Sequence, residues 1–139
     1  FSKADWARLY SPVIMDPVYG YQAVNVEAQR RVATSLLNWM KRMIAVRKRY
    51  KAFGRGSIRF LHPDNQKVLV YVREYEDEVL LCVVNLSRFV QAAEIDLSEW
   101  DGWQPVELIG EIRFPHIGTL PYFLTFGPHS FYWFRLERP

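Results

Sequence analysis

Three histidines and one cysteine are the side chains of this 139-residue sequence best suited to bind a metal or to attack a substrate. His62, His116 and His129 each stand beside a proline in a turn-like segment, and no two of them have the spacing of metal ligands. Cys82 lies inside the apolar run VLLCVVNL, which favours a buried, unreactive thiol. A single cysteine also excludes an internal disulfide. The sequence therefore predicts neither a metal site nor a cysteine nucleophile.

The acidic side chains do not suggest a catalytic pair. Acid and base catalysis by carboxylates needs two of them converging on a cleft with separated pKa values. Glu74, Glu76, Asp77 and Glu78 instead crowd one hairpin turn, where we expect water to solvate them. The sequence also lacks a glycine-rich phosphate loop and a serine in a GxSxG context. We therefore assign no catalytic residue and no cofactor site within this segment.

Trp100 and Trp103, in the motif SEWDGW, admit two roles. Aromatic faces beside acids and amides can stack on sugar rings, which would make the chain a carbohydrate-binding module. The indoles can instead fill the ends of a β-sandwich. The second interpretation is the one that we favour.

One long segment, Ser35 to Tyr50, has helical periodicity, and its apolar side chains cover about half of a helical wheel. Ser35 is the expected N-cap, and Gly54 and Gly56 are expected to stop the pattern. Arg47 falls within the apolar arc, so we expect its guanidinium to be mostly buried and bound to a carbonyl or carboxylate partner. The other residues of the arc are Leu36, Leu37, Trp39, Met40, Met43, Ile44, Val46 and Tyr50.

The net charge of +3 conceals an asymmetry along the chain. Residues 28–63 hold ten Lys or Arg and no acid, whereas the C-terminal half is acidic. A basic helix can bind nucleic acid, but stacking aromatics do not interleave with these charges, and the acidic half would repel phosphates. We therefore expect a solvated or docked helix face and no nucleic-acid partner.

The segments on either side of the helix differ in pattern. Residues 1–34 are rich in aromatics without a sustained period, apart from one helical turn, VEAQRR, that Asn25 could cap. After the helix, apolar residues alternate or run continuously, which predicts seven short strands and hence a mainly β fold, an antiparallel β-sandwich preceded by a loop segment and one long amphipathic helix. The predicted strands are Ser57–Leu61, Val68–Tyr75, Val79–Leu86, Ala92–Leu97, Val106–Ile109, Tyr122–Phe126 and Ser130–Leu136.

Four stretches of the sequence carry a family resemblance. MDPVYGYQAVNVEAQ, SLLNWMKRMIAVRKRYKAFGRG, VLLCVVNLSRF and LPYFLTFGPHSFYWFRLE resemble the C-terminal part of the trehalose synthase family, the maltose α-D-glucosyltransferases of the α-amylase family (glycoside hydrolase family 13). The resemblance covers nearly the whole chain. It implies that residues 1–54 are the tail of a catalytic (β/α)₈ barrel, with its last loop and last helix, and that residues 55–139 are an all-β C-terminal domain.

The resemblance also implies a function for the longer protein. Such enzymes interconvert maltose and trehalose through an aspartate nucleophile and a glutamate acid and base, and no position of this chain matches the motifs of those carboxylates. The loops after barrel strands build the active-site face, so Tyr19, Tyr21 and Asn25 are the residues expected near the substrate mouth. A calcium site of the family would also lie upstream, and the family associates with maltokinase.

Two other functions and a location complete the expectations. The chain could be the carbohydrate-binding module described above, or a protein-interaction domain that uses the basic helix face or a sandwich face. Neither a membrane span nor a signal peptide is visible, which favours the cytoplasm. Because the sequence starts at Phe1, we expect it to be part of a longer protein. We also expect the isolated chain to form homo-oligomers, through the uncovered part of its helix or through the aromatic residues of 1–34.

Overall fold

The computed structural model describes residues 2–139, and the described part of the chain forms three α-helices and eight β-strands. The helices are α1 (Val26–Arg31), α2 (Leu36–Arg49) and α3 (Ala52–Arg55). The strands are β1 (Ser57–Leu61), β2 (Val68–Tyr75), β3 (Glu78–Asn85), β4 (Gln91–Ile95), β5 (Gln104–Glu107), β6 (Ile112–Arg113), β7 (Tyr122–Phe126) and β8 (Phe131–Glu137). Contacts divide the chain into two compact units, one up to Ala45 and one from Val46 to Pro139, so that the boundary falls within α2.

The second unit contains two antiparallel sheets. Six strands form the larger sheet in the order β1-β2-β3-β8-β5-β6, and β4 pairs with β7 in the smaller one. Alternate residues of β2 and β3 contribute to a buried cluster that also takes in residues of β4 and β7, so both sheets share one core. The predicted antiparallel β-sandwich is therefore confirmed.

The other face of the six-stranded sheet is covered as well. Leu80 and Cys82 of β3 are fully buried there, in a second cluster with Val46, Ala52 and Phe53 from the helical segment before β1. Burial on both faces explains why β3 is a continuous apolar run in the sequence and does not alternate. The prediction of a buried thiol at Cys82 is confirmed.

Three predicted strands, those at 57–61, 68–75 and 122–126, have the predicted bounds. The fifth strand, predicted at 106–109, is β5 at 104–107, because the Glu107 carboxylate accepts hydrogen bonds from the amides of Ile109 (3.0 Å) and Gly110 (2.6 Å) and turns the chain there. Strand β6 was not predicted, since two residues are too few to show a period.

The glycines after the long helix act differently from the prediction. Gly54 does not stop the helical pattern but lies inside α3, whose first amide, that of Ala52, donates to the Glu78 carboxylate at 2.9 Å. Gly56 is the residue that ends α3. Glu78 is thus half-buried, and its predicted solvation is wrong, whereas the nearby Asp77 side chain is 96% exposed as predicted.

Arg47 is exposed, so its predicted burial is wrong. It lies three residues after Ile44 and seven after Met40 on α2, and both of these residues are 46% exposed. The buried side chains of this helix, Met43 and Val46, occupy a neighbouring strip of its surface. The apolar arc is thus wider than the strip that the chain covers, and Arg47 falls in the uncovered part, where it needs no buried partner.

None of the helices in residues 2–139 has both the length and the apolar composition that crossing a bilayer requires.

Candidate functional site

The segment 14–25 of the first unit holds the residues that were expected near a substrate. It begins with a turn in which Asp16 Oδ1 accepts hydrogen bonds from the amides of Val18 (2.7 Å) and Tyr19 (3.0 Å). These two amides, that of Tyr19 first, hold the pKa of the Asp16 carboxyl below its usual range. Asp16 is therefore a carboxylate at neutral pH.

Gly20 closes this turn at close range. Its amide donates to the Asp16 carbonyl at 2.6 Å, and the next amide, that of Tyr21, donates to the Ile14 carbonyl at 3.2 Å. A Cβ atom at position 20 would lie 2.3 Å from the Asp16 carbonyl oxygen. The close approach of the backbone to itself therefore requires glycine.

The predicted site residues have different surroundings. Tyr21 is buried, and its hydroxyl donates to the Ala4 carbonyl at 2.8 Å. Asn25 caps α1 by accepting from the Ala28 amide at 2.8 Å, as its position in the sequence predicted, and its Nδ2 donates to the carbonyls of Tyr21 and Gln22, both at 3.0 Å. Of the three, Tyr19 is the mostly exposed one, at 73%.

A cavity of about 360 Å³ adjoins this turn, lined by Met15, Asp16, Pro17 and residues 20–23. Asp16 is the one acidic or basic residue among those lining residues. A single carboxylate can bind a sugar hydroxyl, but carboxylate chemistry on a glycosidic bond needs two. The geometry thus supports a binding role for this loop. Sequence reasoning missed Asp16 and Gly20, although an Asp-Pro pair followed by a glycine is a turn signal.

Trp100 does not have an accessible face. It is 5% exposed, belongs to the sandwich core and has the Arg59 guanidinium 5.4 Å from its ring centroid. Trp103 packs half-buried against the same core, with the Arg138 guanidinium at 5.3 Å from its ring. The predicted sugar site on Trp100 and Trp103 is therefore wrong. The sandwich core and the Arg59 side chain cover the Trp100 ring, so a sugar cannot stack on both indoles. The interpretation of Trp100 as a core residue is confirmed.

The histidines and the cysteine, which could bind a metal or attack a substrate, do not come together in the described part of the chain. His62, His116 and His129 are all exposed, and no three His, Cys, Asp or Glu side chains within residues 2–139 converge as a metal site would require. Burial raises the pKa of the Cys82 thiol to about 11, which leaves it protonated and unreactive at neutral pH.

Residues 58–133, more than half of the chain, match the family model of the maltogenic amylase C-terminal domain. The chain belongs to this family. The match begins in β1 and ends in β8, so it covers nearly all of the sandwich. Residues before β1 lie outside this match but within the similarity to whole enzymes described next.

The whole chain is similar to the C-terminal region of trehalose synthases. It is 53% identical to the trehalose synthase/amylase of Mycobacterium tuberculosis over an alignment of 139 positions that covers 98% of the chain. It is 53% identical to the trehalose synthase of Pimelobacter over an alignment of 143 positions, gaps included, and 44% identical to that of Thermus thermophilus over one of 138 positions. The chain spans only 23%, 25% and 14% of these three relatives. The resemblance drawn from the sequence motifs is therefore confirmed.

Solved structures share the fold at lower sequence identity. AmyP in complex with maltose matches 84% of the chain with a TM-score of 0.68 and 18% identity, over 22% of its own chain. The isomaltulose synthase from Klebsiella matches 88% with a TM-score of 0.64 and 24% identity, over 21% of its own chain. At these identities the likeness establishes the fold of the domain and nothing about its ligands.

Proposed function

We propose that this chain is the C-terminal part of an enzyme that interconverts maltose and trehalose by intramolecular glucosyl transfer. The observation that carries the proposal is the 53% identity to trehalose synthases over 98% or more of the chain. Since the chain spans about a quarter of those relatives, the chemistry belongs to the part of the enzyme before it. There, an aspartate would form the covalent glucosyl intermediate and a glutamate would act as acid and base.

In this proposal, residues 1–54 are the tail of the catalytic barrel and residues 55–139 form a domain that stabilises it. Leu36, Met40 and Ile44 support the assignment, because they leave an apolar strip of α2 uncovered by this chain. The loop around Tyr19 would lie near the substrate mouth. Tyr21 and Asn25 would then act by holding that loop, because their polar atoms already bind the backbone.

The proposal also predicts that the chain alone is inactive, since no second carboxylate lines the cavity beside Asp16. The test follows maltose and trehalose by proton NMR with the enzyme encoded by the complete reading frame, and separately with the 139-residue chain. We expect interconversion by the first and none by the second, with hydrolysis of an aryl glucoside also absent from the second.

The predicted inactivity of the 139-residue chain would be contradicted if the purified chain showed turnover that Asp16→Asn abolishes and Asp96→Asn leaves intact. Asp96 is a matched control, since its carboxylate also accepts hydrogen bonds from a neighbouring residue, Ser98, and lies in the other unit. Failure of the complete enzyme to interconvert the two sugars would instead overturn the proposed activity.

The cofactor and the partners follow from the same proposal. A calcium ion would belong to the upstream barrel, because residues 2–139 hold no cluster of His, Cys, Asp or Glu that fits one. The enzyme would act in the cytoplasm and would associate with a maltokinase, and the exposed basic residues Lys41 and Lys48 of α2 offer one surface for such a contact. A pull-down of maltokinase by the chain, repeated with Lys41→Glu and Lys48→Glu, tests that surface.

A further inference from the structure

The sandwich contains a cleft that no motif in the sequence indicates. It has a volume of about 600 Å³ and lies between strand β7 and the loop that precedes it. Its lining residues are Phe114, Pro115, His116, Gly118, Thr119, Leu120, Pro121, Tyr122, Phe123, Leu124, Thr125 and Tyr132. The volume is within the range of small-molecule sites, which extends from about 300 to 1,000 Å³.

The lining is mainly aromatic and apolar, with one imidazole, that of His116, and no carboxylate, ammonium or guanidinium group. Four of the lining residues are aromatic, two carry a threonine hydroxyl, and none of the described residues that line the cleft is Asp, Glu, Lys or Arg. Phe123 is 61% exposed. Apart from the exposed imidazole of His116, the lining offers no side chain that could pair with a charged ligand, so it favours a neutral ligand with apolar faces and hydroxyl groups.

The backbone of β7 adds unused hydrogen-bonding groups to the cleft. On β4, the Ala92 carbonyl accepts from Asn65 Nδ2 and the Glu94 amide donates to Asp64 Oδ1, each at 2.9 Å, so these two residues point away from β7. In an antiparallel pair of strands, a residue whose main-chain groups point away from the partner strand lies opposite a residue whose main-chain groups also point away. The registered partners of Ala92 and Glu94 on β7, Thr125 and Phe123, consequently turn their main-chain groups outward as well.

One of these outward groups is occupied and three are open. The Thr125 carbonyl accepts the Tyr132 hydroxyl at 3.3 Å. The Phe123 amide, the Phe123 carbonyl and the Thr125 amide have no partner among residues 2–139, although the equivalent edge of β4 is closed by Asp64 and Asn65. A second tyrosine fixes the opposite wall, because the Tyr122 hydroxyl donates to the Pro115 carbonyl at 2.8 Å.

We propose that this cleft binds a short α-linked glucan, with the glucose rings against Phe123 and their hydroxyls on the open main-chain groups of Phe123 and Thr125. The site is separate from the loop around Asp16, and it contains no acid, so it binds sugar without cleaving it. The choice of an α-linked glucan rests on the proposed function, which makes maltose the substrate. An additional sugar site would keep substrate near the enzyme.

The test uses the ¹⁵N-labelled 139-residue chain and maltotriose, followed by amide chemical shifts. We expect saturable shifts at Phe123, Thr125 and Thr119, and a weaker response to cellotriose, in which the linkage is β. Phe123→Ala should raise the Kd about tenfold, because it removes the exposed ring. Phe60→Ala is the matched control, since Phe60 is a strand phenylalanine of similar exposure, 52%, outside the cleft, and it should leave the Kd unchanged.

Three results would overturn the proposal. They are an absence of shifts at the cleft, equal effects of Phe123→Ala and Phe60→Ala, and a cleft that responds to an extended tripeptide but not to maltotriose. The last result would show that the open edge of β7 accepts a polypeptide strand. Because binding to the isolated chain needs no barrel, these outcomes are distinguishable from a failure of the complete enzyme to isomerise maltose.

Discussion

At the scale of single residues, short polar side chains mostly serve the backbone. Asp16 and Asn25 bind amides two or three residues ahead, and such local partners could be predicted from the sequence for Asn25 because helix caps have a known spacing. Asn85 is 1% exposed, and its Nδ2 donates to the carbonyls of Phe89 and Gly127 at 2.8 Å. Gly127 lies 42 residues away, so no local pattern could reveal this contact.

Gly20→Ala is expected to disrupt the turn at Asp16, because the new Cβ would meet the Asp16 carbonyl at 2.3 Å and the backbone must move. We expect faster hydrogen exchange at the amides of Val18, Tyr19 and Tyr21. Gly54→Ala is the matched control, since nothing lies within 4 Å of a Cβ there, and in a helix it should stabilise the fold by up to about 1 kcal/mol. Unchanged exchange in Gly20→Ala would contradict the strict requirement for glycine.

The Cys82 thiol should make the stability of the sandwich depend on alkaline pH. Burial raises its pKa from an ordinary value of 9.0 to about 11, so above pH 9 the unfolded chain loses a proton that the folded chain retains. The free energy of unfolding should therefore fall between pH 9 and pH 11, by on the order of 2 kcal/mol from this group.

The measurement is urea unfolding of the wild type and of Cys82→Ala at several pH values. Tyr71, which faces Cys82 across β2 and β3, has a pKa raised by burial to about 12 and adds its own loss above pH 10. Because the Tyr71 hydroxyl and the Cys82 thiol also hydrogen-bond each other, the difference between the two proteins reports this pair of groups, and it should shrink from pH 9 to pH 11. A constant difference over that range would show that the folded-state pKa of Cys82 is not raised.

At the scale of elements, the sequence pattern predicted those strands whose bounds depend on the packing of neighbouring residues. The bounds of β2 follow from alternating burial at Val68, Val70 and Val72, which the sequence displays directly. The surroundings of α2 could not be predicted in the same way. A helical wheel shows which residues are apolar, but not how much of the apolar arc this chain covers, and that unknown is why Arg47 was wrongly expected to be buried.

The uncovered strip of α2, formed by Leu36, Met40 and Ile44, should cause the isolated chain to self-associate, because contiguous exposed apolar surface is rarely left bare in solution. Sedimentation velocity at micromolar concentration should detect oligomers, and a hydrophobic dye should bind. Replacing all three residues by glutamine should reduce both signals. Lys41→Gln, on the polar side of the same helix, should not. A monomer that binds no dye would show that the apolar strip does not drive self-association.

At the scale of the whole molecule, the buried apolar residues are unevenly shared. Both hydrophobic clusters consist entirely of residues from 46 to 139, whereas Tyr21 and Met43 are the buried apolar side chains among residues 2–45. The sequence predicted the sandwich correctly because alternation and turns mark it. The same reasoning could not find a core for the N-terminal segment, since the buried contacts that would define one are few in the described chain.

Residues 46–139 alone should therefore fold into the sandwich, with a single cooperative transition in urea, because they carry both clusters complete. Phe134→Ala in this fragment should cost about 3–5 kcal/mol, since the ring is fully buried and its removal leaves a cavity. Residues 1–45 alone should show no cooperative transition by circular dichroism, because two buried apolar side chains cannot offset the conformational entropy of ordering 45 residues. A cooperative transition in residues 1–45 would contradict this prediction, because that segment would then have a core of its own. A gradual transition in residues 46–139 would also contradict it, because the sandwich would then need contacts from residues before Val46.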